Sequence, residues 1–161
     1  MTINVGDKMP AGSFTVMSDD GPGSVTTDEL FGGRKVVLFS VPGAFTPTCS
    51  MKHLPGYVQH ADALISHGID TIACMAVNDV FVMDAWGRDQ GVGDAVSMLA
   101  DGNAAYTKTL GLGLDASGFG MGIRGQRFSI IVDDGHVTHL NIEGPGEFKV
   151  SNAETALEQV S

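Results

Sequence analysis

Two cysteines, one tryptophan and two tyrosines in 161 residues leave the chain short of the groups that staple or anchor small folds. Two cysteines, Cys49 and Cys74, are too few for a secreted disulfide scaffold. The start, Met1-Thr2-Ile3-Asn4-Val5-Gly6-Asp7, has neither a basic opening nor an apolar core, so no secretory signal is expected. No Asn-x-Ser/Thr acceptor occurs. The expected setting is a reducing, cytoplasmic one, where a thiol is a reagent or a small core hydrophobe. No apolar run approaches the roughly 18 residues of a membrane span, and Val36–Val41 has only a buried strand's length. Positive charge is scarce: 9 Lys+Arg against 19 Asp+Glu give a net −10. Such a surface repels phosphate backbones, which disfavours nucleic acids and anionic membranes as partners.

No repeat or linker interrupts the chain, and its 22 glycines follow no period, so low complexity is excluded. A hydrophobic share of 43% excludes a disordered chain, and the length fits one domain over residues 1–161. Val36–Val41 and Asp70–Val77 are β-branched runs bounded by turn residues and are expected as central strands. Between them Cys49 to His67 has helical spacing (Met51, Leu54, Tyr57, Val58, Ala61, Leu64), with a kink expected at Pro55. Strand, helix, strand is a parallel crossover unit. A second helix is expected over Asp79–Gln90 and a strand over Ala95–Leu99. Arg127–Val132 and His136–Ile142 flank Asp133-Asp134-Gly135, a strong hairpin signal. A last helix is expected near Asn152–Val160. The order predicts an α/β, thioredoxin-like fold: a mixed central sheet flanked by helices.

The chemistry concentrates in Val41-Pro42-Gly43-Ala44-Phe45-Thr46-Pro47-Thr48-Cys49, which leaves a central strand and enters a helix, the sheet edge where such folds bind ligands. Thr46 suits the N-cap and Pro47 the first helical position, which puts Cys49 at the third. There the unpaired amides and the positive helix end favour an anion, so the thiol should ionise more readily than a free one near about 8.5. Thr46 can donate its hydroxyl proton to a thiolate, and Pro42 offers an apolar wall without a donor. The pattern describes an activated nucleophile in a small pocket.

Pro42-x-x-x-Thr46-x-x-Cys49 resembles the peroxiredoxin active-site motif, and Gly43–Ser50 looks like the type II, peroxiredoxin-five-like group. The likeness continues through Lys52–Gly56, Val77–Asp79, Phe81-Val82, Ala85-Trp86 and Arg127–Ser129. It implies a thioredoxin fold and a thiol peroxidase acting on hydrogen peroxide and organic hydroperoxides without cofactor or metal. Cys49 would be the peroxidatic nucleophile. Thr46 would bind the sulfur and the peroxide oxygen, and Pro42 would shield the sulfenic acid. The family's distant arginine maps onto Arg127, whose fork of donors would hold the thiolate and polarise the departing oxygen. Arg124 is a weaker candidate.

Cys74, expected about three residues back from the sheet edge, lies on the order of 10 Å from it at roughly 3.3 Å per residue. A disulfide needs Cα atoms about 4.4 to 6.8 Å apart, so Cys74 is expected as a core thiol rather than a resolving one. The late segment Phe148–Asn152 offers no cysteine either. A one-cysteine cycle recycled by glutathione or glutaredoxin is therefore expected, with thioredoxin as the other candidate reductant.

Cys49, His53 and Cys74 form no recognised zinc pattern. His53 as a hydrolase base would sit a turn deeper than the sulfur. Gly120–Gly125 spells G-x-G-x-x-G but lacks the strand–helix context of a nucleotide site and is expected as a flexible loop. Phe45, Phe81 and Trp86 are expected mainly as core, with covering the face of a homodimer near the site as the other role. Two rival functions share the fold: a glutaredoxin-like thiol oxidoreductase, although Thr46 stands where Cys-x-x-Cys wants its first cysteine, and a non-enzymatic peroxide sensor.

Overall fold

Lys35–Ser40 (β3) and Thr71–Ala76 (β4) are buried on both faces after their first residue, as strands in the middle of a covered sheet must be. They pair in parallel, Phe39 beside Cys74. The computed structural model describes residues 2–161. It adds Ser13–Ser18 (β1), Gly21–Thr26 (β2), Ser97–Ala100 (β5), Gly113–Asp115 (β6), Ile123–Gly125 (β7), Phe128–Asp133 (β8) and His136–Ile142 (β9). Seven strands form one mixed sheet in the order β2-β1-β5-β4-β3-β8-β9, and β6 with β7 makes a separate two-stranded ribbon.

Alternation along β3 sorts the core into two layers. Val37 and Phe39 face one side, with Cys49, Leu54, Tyr57, Leu64, Ile72, Cys74 and Trp86. Val36 and Leu38 face the other, with Phe31, Ala73, Met75, Tyr106, Phe128 and Ile130. The helices are Thr27–Phe31 (α1), Leu54–Gln59 (α2), Ala61–Ser66 (α3), Val80–Asp89 (α4), Ala105–Leu110 (α5) and Ala153–Val160 (α6). The mixed, helix-covered sheet is the thioredoxin-like architecture expected. The hairpin falls where Asp133-Asp134-Gly135 signals it: Asp133 pairs with His136, and Asp134 (φ 46°) and Gly135 (φ 81°) supply the two left-handed positions of the turn.

Three expectations need correction. The segment from Cys49 to His67 is not one kinked helix but a π-turn (Cys49–His53), α2 and α3, with a break at His60 (φ −98°, ψ 8°). Pro55 has no N–H to return to the residue four before it, and the chain widens just ahead of it: Leu54 N–H reaches back five residues to the Cys49 carbonyl. Gly120–Gly125 is not wholly loop, since Ile123–Gly125 pairs with β6. Arg127 lies just before β8 rather than within it.

The segments that escaped sequence reading are short or polar. The edge strand β2, Gly-Pro-Gly-Ser-Val-Thr, has no buried residue. Helix α1 carries a capping box at Thr26 and Glu29, visible in the sequence as Thr-x-x-Glu. Helix α5 is fastened by the buried Asp101 carboxylate, which accepts from the Tyr106 and Thr107 amides (3.1 and 2.8 Å) and the Thr107 hydroxyl (2.7 Å). Asp101→Ala strands those donors and should cost about 1–3 kcal/mol, measured as a lower denaturant midpoint with an unchanged slope.

Candidate active site

The chain leaves β3 at Ser40 and turns through Pro42–Phe45 before the helix begins at Pro47. The turn is tight: Phe45 takes a left-handed conformation (φ 63°), and the Ala44 amide donates to the Asn78 side-chain oxygen at 2.9 Å. Asn78 stands just past β4, so the loop is pinned to the neighbouring strand's exit. Next to it Asp79 caps α4 by accepting from the Val82 amide at 2.9 Å. Trp86 of α4 donates its indole N–H to the Ser50 hydroxyl at 3.0 Å, which fastens the residue after Cys49.

With Pro47 as the first helical residue, Cys49 is the third, as its spacing predicts. Its side chain has no exposed surface. The Arg127 guanidinium reaches it from 78 residues away: Nη2 donates to Cys49 Sγ at 3.0 Å. The second nitrogen, Nη1, is 2.8 Å from His53 Nδ1. A guanidinium can only donate, so Nδ1 accepts and the imidazole proton resides on Nε2, which donates to the Ser151 carbonyl at 3.0 Å. The Tyr57 hydroxyl donates to that same carbonyl at 2.9 Å. His53 lies among Phe39, Tyr57 and Phe148, with ring centroids 4.8, 5.7 and 5.0 Å away, and Phe148 also lies 5.8 Å from the guanidinium carbon.

The π-turn frames this arrangement. It stacks Cys49 and His53 one widened turn apart, so the two arms of one guanidinium reach both. Burial, reinforced by the adjacent guanidinium charge, lowers the His53 pKa from 6.5 to about 3. A neutral imidazole is what an acceptor for Arg127 has to be.

Thr46 departs from its expected role. Its hydroxyl donates to the Gly43 carbonyl at 2.7 Å, not to the sulfur, because the left-handed turn at Phe45 folds Thr46 back over that carbonyl. Pro42 is half-buried beside the site. Arg124 is engaged elsewhere: its Nε and Nη1 donate to the carbonyls of Met121 (2.9 Å) and Val77 (3.0 Å), tying the β6–β7 ribbon to the end of β4. Cys74 is a fully buried free thiol whose pKa burial pushes well up, with the charge on Cys49 adding to the rise. Among the aromatics, Trp86 is core as expected, whereas Phe45 and Phe81 are 52% and 65% exposed, against the core role expected for them. Both His53 nitrogens are occupied, and among the described residues no group of three or more His, Cys, Asp or Glu side chains could hold a metal ion. A cavity of about 820 Å³ lies between β1–β2 and α4–β5 and touches none of these residues.

Fold and site define a class first: a thioredoxin-like protein with a cysteine at a helix tip that accepts a hydrogen bond from an arginine. The Redoxin family model matches residues 4–157. Peroxiredoxin-2E, chloroplastic, of Arabidopsis thaliana is 48% identical over 97% of this chain and 68% of its own length. Peroxiredoxin-2B of the same plant is 47% identical over 96% of each. The reduced Prx3 of Vibrio vulnificus, solved in complex with hydrogen peroxide, superposes with a TM-score of 0.96 at 50% identity, covering 99% of this chain and all of that one. The chain belongs to the Redoxin family and is a peroxiredoxin of the type II, peroxiredoxin-five-like kind, a thiol-dependent peroxidase.

Of the site residues, sequence reading missed the part played by His53, which it weighed only as a ligand or base, and missed Ser151 as its partner. Because His53 is held neutral in the fold but binds a proton near 6.5 when unfolded, the unfolded state takes up more protons between pH 6.5 and about 3. Stability should therefore fall as pH drops through that window. Unfolding midpoints measured across it should decline in the native protein, and His53→Gln should flatten that part of the decline.

Proposed function

We propose that Cys49 is the peroxidatic nucleophile and that Arg127, Thr46 and Pro42 shape its reaction. The observation that carries this reading is the 3.0 Å contact between Arg127 Nη2 and Cys49 Sγ. The thiolate attacks one peroxide oxygen. A sulfur–oxygen bond forms as the oxygen–oxygen bond breaks, and the departing oxygen takes up a proton and leaves as water or an alcohol. Sulfur is oxidised by two electrons to the sulfenic acid while the peroxide is reduced by two. Arg127 offsets negative charge spreading from sulfur to the departing oxygen. Thr46, its own proton committed to Gly43, offers lone pairs to a peroxide O–H. Pro42 limits water at the product. The fully buried sulfur suits hydrogen peroxide and slender organic hydroperoxides.

Recycling proceeds without Cys74. That thiol sits inside β4 between Phe39 and Met98, in the covered sheet, and burial holds it protonated. An external thiol, glutathione with glutaredoxin, attacks the sulfenic acid to give a mixed disulfide and water, and a second thiol releases Cys49. Thioredoxin is the competing donor. Two free thiols are in keeping with a reducing, cytoplasmic setting, and residues 1–161 act as one unit. A homodimer through the site's rim fits the exposed Phe45 and Phe81, together with Phe119 and Ile123 at 86% and 43% exposure on and beside the β6–β7 ribbon.

Cys49→Ser should abolish peroxide consumption, whereas Cys74→Ser should retain most of it with glutathione and glutaredoxin. Intact mass after one equivalent of peroxide should rise by one oxygen; loss of two hydrogens with a Cys49–Cys74 link would overturn the one-cysteine cycle. Arg127→Ala should slow Cys49 oxidation by about 10²-fold in stopped-flow measurements while the protein stays folded, and unchanged kinetics would move the role to Arg124. Sedimentation of Phe81→Asp should show a monomer where the native protein forms a dimer.

A further inference from the structure

Five hydrogen bonds converge on one carboxylate that the chemistry above does not use. Glu143 follows β9 and is buried. Its Oε2 accepts from the amides of Lys149 (2.9 Å), Val150 (2.9 Å) and Ser151 (2.8 Å) and from the Ser151 hydroxyl (2.7 Å). Its Oε1 also accepts from the Lys149 amide, at 2.9 Å. Burial works to raise its pKa, but the bonds from the Ser151 hydroxyl and the three amides outweigh it and hold the carboxyl below the usual range.

Capping does not account for this concentration. Helix α6 begins immediately after the loop but carries its own cap, the Asn152 side chain accepting from the Thr155 amide at 2.9 Å. Lys149 and Val150 are exposed, and the loop's other holds, Phe148 against His53 and Arg127 and the buried Ser151, all lie against the site. The clamp places the Ser151 carbonyl, which receives His53 Nε2 and the Tyr57 hydroxyl. The other end of Glu143 is tied to the same circuit, because its own amide donates to the Arg127 carbonyl at 3.0 Å. The connections close on themselves: Arg127 backbone to Glu143, Glu143 to the loop, Ser151 to His53, and His53 back to the Arg127 guanidinium.

We propose that Glu143 is a positioning residue for the peroxidatic reaction: by clamping Lys149–Ser151 it fixes the carbonyl that orients His53, and His53 in turn aims Arg127 at Cys49. Glu143 touches neither sulfur nor peroxide and acts only through this chain. The inference rests on the reading of Cys49 and Arg127 given above. Its particular content is that the imidazole tautomer, with Nδ1 bare and facing the guanidinium, depends on a carboxylate two contacts away.

The test uses Glu143→Ala and Glu143→Gln in the full chain, each alone and combined with Arg127→Ala. Two-bond ¹H–¹⁵N spectra of His53 should show a protonated Nε2 and a bare Nδ1 in the native protein, a weakened signature in Glu143→Gln and mixed tautomers in Glu143→Ala. Stopped-flow oxidation of Cys49 by hydrogen peroxide should slow by about tenfold in Glu143→Ala, less in Glu143→Gln, and no further when either is added to Arg127→Ala. Equal multiplicative losses in both backgrounds, or an unchanged His53 spectrum in Glu143→Ala, would overturn the proposal and leave Glu143 a fastener of the loop. Should Glu143→Ala fail to fold, the Gln variant decides by the same two readouts. The spectra involve no peroxide, so a native protein inert to peroxide would refute the peroxidatic reading while the tautomer shift still reported on the clamp.

Discussion

A guanidinium held between a sulfur and an imidazole is the interaction on which the rest of this molecule converges. A half-buried guanidinium keeps its aim only where fixed partners hold it, and the fold brings those partners, Cys49 and His53, from a distant stretch of the sequence. The antiparallel register of β3 and β8 sets Ser40 opposite Phe128, so the strand that leads into Cys49 and the residue before β8 meet at one edge of the sheet. Arg127 thus arrives beside the helix tip through backbone pairing alone. Its other arm is taken up by His53, which burial and the adjacent guanidinium charge keep neutral.

Much of the fold was legible because its central strands are short β-branched runs between turn residues. Asp79 and Asn152 stand at the heads of helices as their side-chain chemistry requires, and Asp134-Gly135 makes the turn its composition demands. The breaks came where tertiary context decides. Pro55 signals a disturbance, but whether a helix kinks or widens depends on how the bonds ahead of it rearrange, and here the Leu54 N–H reaches back five residues to the Cys49 carbonyl. The ribbon strands β6 and β7, three residues each, are too short for any period to show. Phe45 and Phe81 read as core because large aromatics usually are.

The site divides in the same way. Pro42, Thr46 and Cys49 share one turn, so their proximity follows from spacing; the hydroxyl of Thr46 does not, since its direction is set by the left-handed backbone at Phe45. Arg127 was reachable only through family resemblance, as nothing local in the residue just before a strand announces a partner 78 positions away. His53 shows the limit most clearly. Its spacing from Cys49 was plain, yet its role depends on a carbonyl at Ser151 that no periodicity connects to it.

The widened turn between Cys49 and His53 carries a consequence for how this segment can vary. An α-helix advances about 100° per residue, so removing one residue from the stretch would swing the imidazole far around the axis from the sulfur. One planar cation could then no longer span both. Met51 and Lys52 are exposed and their identities are free to drift, but the number of residues between sulfur and imidazole is not. Here it is the count of peptide units, more than the side chains they bear, that natural variation has to leave alone.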